Sequence, residues 1–66
     1  MKKSSYRDFL IECKPFIKLS VFAKMIDLNP STLSLFMKSD NNDYMISVDK
    51  LQELTDLIVD TMRNFA

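Results

Sequence analysis

The chain has 66 residues, nine Lys and Arg against nine Asp and Glu, and 47% hydrophobic side chains. That length fits one small domain, 1–66, and the hydrophobic content excludes a disordered tail. With no His, no Gly and a single cysteine, Cys13, the chain offers no zinc cluster, no internal disulfide and no Gly-rich phosphate loop, so no metal, no cofactor and no enzymatic reaction are expected.

In chain order, Ser4 or Ser5 can cap a first helix from about Tyr6 to Lys14, with Tyr6, Phe9, Leu10 and Cys13 on one stripe. Pro15 disfavours helical geometry at Lys14, so the helix should end or kink there. Phe16, Ile17 and Leu19 form an apolar bridge into residues 19–38, which read as two short helices joined by a tight corner. Ser20 can cap the first of these, which turns Phe22, Ala23 and Ile26 inward, and Leu28 plugs the corner.

The start of the second short helix is marked locally. Asn29 can cap free N–H groups, and Pro30 suits the first helical position because its φ is preset and its missing N–H is not needed there. At about 100° per residue, Leu33, Phe36 and Met37 point inward. Ser31, Ser34, Leu35 and Lys38 then lie outward, with Thr32 near the leading edge. Residues Ser39 to Tyr44 are turn formers and read as a loop. A last helix, about 47–63, starts at a Ser47 cap. The expected fold is all-α, a small four- to five-helix bundle, an extra turn near Phe16 or Tyr44 being the fifth element.

Residues 19–38 resemble the helix-turn-helix of the Cro and phage-repressor (XRE-like) class. Ala23 stands where that class keeps a small residue at the helix crossing, Leu28 where it keeps an aliphatic residue after the turn, and Leu33 where it keeps a buried Ile or Val. Ile46-Ser47-Val48-Asp49-Lys50-Leu51 is similar to the cap and first turn of the helix that follows the recognition helix. Asp27 departs from the pattern, because the class usually has Gly at the turn. The resemblance implies a repressor-like transcription regulator, of a kind found in phages and mobile elements, whose second motif helix enters the major groove of double-stranded DNA.

On that reading Asn29, Ser31, Thr32 and Ser34 approach base edges or nearby phosphates, Leu35 touches a thymine methyl, and Lys18, Lys24 and Lys38 meet backbone phosphates. Lys2, Lys3 and Arg7 are weaker phosphate candidates. Amides at the start of the reading helix would help hold a phosphate. Charge supports this despite the neutral total. Residues 1–38 carry seven basic against three acidic residues, and residues 39–66 two against six.

On the last helix Asp49, Glu53, Asp56 and Asp60 share a narrow arc, opposite an apolar arc of roughly 200°. That width exceeds what one small domain commonly covers, so Leu54, Leu57, Val59 and Phe65 are expected to meet a second copy in a homodimer, two reading helices then standing about 34 Å apart. A different reading keeps the fold but turns it on a protein partner, through outward Leu35 and Met25 with Met37 at the edge. No apolar run reaches bilayer-spanning length, and the first residues do not lead into an apolar signal core. A cytoplasmic location is expected.

Overall fold

Tyr6, Leu10 and Cys13 recur at helical spacing, and burying that stripe holds α1 (Lys3–Cys13) against the rest of the chain, with Phe9 packed half-buried beside it. A computed structural model describes residues 2–65, with side chains through 64. Among them α1 is followed by α2 (Leu19–Met25), α3 (Pro30–Lys38), a 3₁₀ helix (Asp40–Met45) and α4 (Val48–Phe65), with no strand. The domain is all-α, and the fifth element is the turn near Tyr44.

Neither serine expected to cap α1 does so. The helix begins earlier, with Lys2 at its N-cap and no side-chain cap. Ser20 likewise lies inside α2, whose N-cap is Lys18, also without a side-chain cap. Helix α1 does end at Cys13, although Lys14 keeps helical dihedrals and donates its N–H to Leu10 O at 3.0 Å. In the apolar bridge after it, Leu19 is enclosed and Ile17 half-buried, whereas Phe16 is 83% exposed.

The corner between α2 and α3 closes through backbone hydrogen bonds at the end of α2. Asp27 has φ 60, the left-handed position that Gly usually fills. Its N–H bonds Lys24 O at 3.2 Å, while Leu28 N–H bonds Ala23 O at 2.8 Å. This pair of bonds is the Schellman helix ending, which satisfies carbonyls that α2 would otherwise leave open. Leu28 packs half-buried against the core, and Asn29 Oδ1 accepts Ser31 N–H at 2.8 Å to start α3.

Where a loop was expected after α3, residues 40–45 wind into the 3₁₀ helix, with Ser39 Oγ accepting from Asn41 N–H at 3.2 Å. Helix α4 starts at Ser47, whose Oγ accepts from Lys50 N–H at 3.3 Å. Leu51, Leu54 and Ile58 are its fully buried face, and Asp49, Glu53, Asp56 and Asp60 stay exposed. Tyr6 Oη donates to Gln52 Oε1 at 2.5 Å, tying α1 to α4.

Candidate nucleic-acid interface

Helix α3 buries Leu33 and Phe36 and turns Ser31, Ser34, Leu35 and Lys38 to solvent. Thr32 is half-buried at the leading edge, and Met37 is half-buried on the inner side. The outward ridge is therefore mainly hydroxyls, one aliphatic side chain and one ammonium group. Lys18 and Lys24, at the two ends of α2, are both exposed.

A groove of about 360 Å³ runs between the start of α2 and α3. Lys14, Lys18, Ser20 and Ser34 supply its polar lining, and no acid borders it. At the other end of the ridge, Lys24, Asp27 and Asn29 border a shallower cleft. The exposed carboxylate of Asp27 thus stands at the leading edge of α3.

Comparison with family models, curated proteins and solved structures finds no match to this chain. The geometry is then the whole basis for a functional reading. Asn29 spends its carbonyl oxygen on the cap, so only its amide N–H groups are free to reach a partner. With Pro30 lacking an N–H, Ser31 capped and Leu33 bonded to Asn29 O at 3.1 Å, the first turn leaves an anion little beyond the Thr32 N–H.

Arg7 is not a surface phosphate contact. It is 6% exposed, and its guanidinium lies 4.5 Å from the Phe36 ring centroid. Nε donates to Phe36 O at 2.8 Å, one terminal nitrogen to Asp40 Oδ1 at 3.0 Å, and the other to Ser39 O at 3.2 Å and to Asp43. One planar fork from α1 thereby fixes the C-terminal carbonyls of α3 and the acids of the 3₁₀ helix. Lys3 adds to this contact, donating to Asp43 O at 2.8 Å.

Lys50 performs the equivalent task for α2, donating from α4 to Ile26 O at 2.6 Å. Sequence reading missed both anchors, because each spans more than twenty residues of chain. The available signal for Arg7 was its position three residues before Leu10 on the buried stripe, together with the Asp40 and Asp43 pair downstream.

The partner residues expected on α4 separate. Leu54 is fully enclosed by its own chain and presents no surface to a second copy. Leu57 and Val59 are half-buried, and the side chain of Phe65 lies outside the described residues. Met25 is 64% exposed and Leu35 42%. By helical count Met25 lies with Val21 and Phe22, not on the side of α2 whose Leu19 and Ser20 line the groove with α3. No described helix is long and apolar enough to cross a membrane.

Proposed function

We propose that this domain binds double-stranded DNA sequence-specifically as a small transcription regulator, with α3 in the major groove and two copies acting together. The observation that carries the reading is the α3 ridge: exposed Ser31, Ser34, Leu35 and Lys38, between exposed Lys18 and Lys24, on a helix whose inner face and C-terminal end are both anchored. Hydroxyls can give or accept hydrogen bonds at base edges, Leu35 suits a thymine methyl, and the ammonium groups suit phosphates. The ridge has no Arg or Gln, so direct readout is thin and DNA shape carries part of the preference. A binding module of this kind needs no catalytic group and no cofactor.

Selection from a randomised duplex pool, followed by binding at two salt concentrations, tests this. Alanine at Ser31, Thr32, Ser34 and Leu35 together should abolish preference for the selected sequence while the fold survives. Lys38→Ala should weaken all sequences about equally and reduce the salt slope by about 0.9. Unchanged preference in the fourfold variant overturns the reading.

The exposure of Met25 and Leu35 favours one other use of the same fold, docking on a protein that the domain would modulate. Such a contact would depend weakly on salt, whereas DNA binding falls steeply as counterions are released.

A further inference from the structure

The apolar surface left uncovered is concentrated away from the α3 ridge. On α2, Lys18, Val21, Phe22 and Met25 fall within an arc of about 100°; Val21 is 51% and Met25 64% exposed. Beside this stripe, Phe16, Ile17, Lys18 and Phe22 face Ile58, Thr61 and Met62 of α4 across a groove of about 460 Å³. Phe16 at 83% and Met62 at 40% exposure are its most open apolar side chains. A single charge, Lys18, lies in the lining, and its stem can pack while its head stays in water.

We propose that this face is where two copies of the chain meet, the Phe16 ring of each seated in the groove of the other between Phe22 and Met62. The inference deepens the dimer part of the proposed function by placing the contact, and it moves that contact from Leu54, Leu57 and Val59 to the α2 side of α4. A projecting ring and a groove on one patch are what a twofold contact requires, since a rotation pairs each ring with the other groove.

The area is adequate. A buried Phe supplies on the order of 150 Å² or more. With Val21, Phe22, Met25, Met62 and the Lys18 stem added, complete burial gives about 600–700 Å² per partner, the low end of the range for a specific interface. Charge does not oppose the pairing: the chain has formal net charge +0 and the groove carries no acid. A nucleic acid is a poor occupant of so apolar a surface.

Sedimentation equilibrium of the full chain without DNA, over a wide concentration range, tests the proposal. The unaltered protein should dimerise. Phe16→Asp and Met62→Asp should each weaken the dimer roughly thirtyfold or more, with thermal unfolding little changed because both side chains are exposed. Phe16→Leu should retain most of the association, and Ile11→Asp, on exposed α1 surface outside the face, should leave it unaltered. A dimer that withstands both Phe16→Asp and Met62→Asp overturns this placement and leaves the dimer reading standing. A chain that stays monomeric overturns both.

Discussion

Asp27 holds the left-handed position that closes α2, and it does so with a β-carbon in place that Gly would lack. The left-handed conformation costs an ordinary L-residue roughly 1–2 kcal/mol, less for Asp, whose short polar side chain can bond locally. Asp27→Gly should therefore stabilise the domain by about 0.5–1 kcal/mol, offset partly by greater freedom of the unfolded chain, while the β-branched Asp27→Val should destabilise it by about 1–2 kcal/mol. Urea midpoints of the three proteins decide it. Cys13 carries a second residue-level consequence: burial pushes its thiol above the ordinary value of 9.0, and the Glu12 charge adds to the shift. The folded chain then holds the thiol proton longer than the unfolded chain. This makes no difference below the unfolded value and lowers stability as pH rises from there towards the folded value. Between about pH 7 and about pH 10 the loss of stability should be smaller in Cys13→Ala than in the parent, read again from urea midpoints.

At the scale of elements, the two motif helices are each held at their C-terminal end by a cation from a helix elsewhere in the chain, α3 by Arg7 and α2 by Lys50. Arg7 is the more demanding case, because it is buried and serves two carbonyls and two carboxylates. Arg7→Met should cost about 2–3 kcal/mol, and Arg7→Lys somewhat less, since a point charge cannot reproduce the fork. Asp43→Asn should cost more than Asp40→Asn, because the Asp40 carboxylate is 88% exposed and that of Asp43 only 41%. Chemical denaturation of the four variants orders them. Helix α3 was readable from the sequence to the residue, because its cap and its N1 proline are local signals. The Arg7 clamp was not, because a basic residue near the chain start looks the same whether it faces water or Phe36. The 3₁₀ helix was legible only as turn formers with an extra turn near Tyr44, because the Arg7 contacts that hold Asp40 and Asp43 come from α1, far away in the chain. The buried positions of α4 were legible as a periodic stripe. Which of them are enclosed depends on how α1 and α2 pack over it, so Leu54, expected to meet a second copy, is covered by its own chain.

Across the whole molecule, a neutral chain presenting lysines around α3 and acids along α4 has an electrostatic character that depends on ionic strength. The Cα extents are 35 × 22 × 21 Å, whereas charges in solution are screened over about 10 Å at 0.1 M salt and about 30 Å at 0.01 M. Helix α4 packs on α1 and α2, and its Asp56 and Asp60 project into solvent. At physiological salt a duplex on α3 should sense the lysines beside it more than the acids of α4, a helix that packs on α1 and α2. In dilute salt the same acids fall within the screening length and oppose the phosphates. The double variant Asp56→Asn with Asp60→Asn should accordingly tighten binding to any duplex severalfold near 0.01 M salt and leave it nearly unchanged near 0.15 M, with sequence preference the same at both. Asp27→Asn, which removes a carboxylate at the edge of the ridge itself, should tighten binding at both salts, because screening cannot act across so short a gap. Equal effects of the α4 pair at the two concentrations would place the duplex against α4, and the assignment of α3 as the reading helix would fall with it.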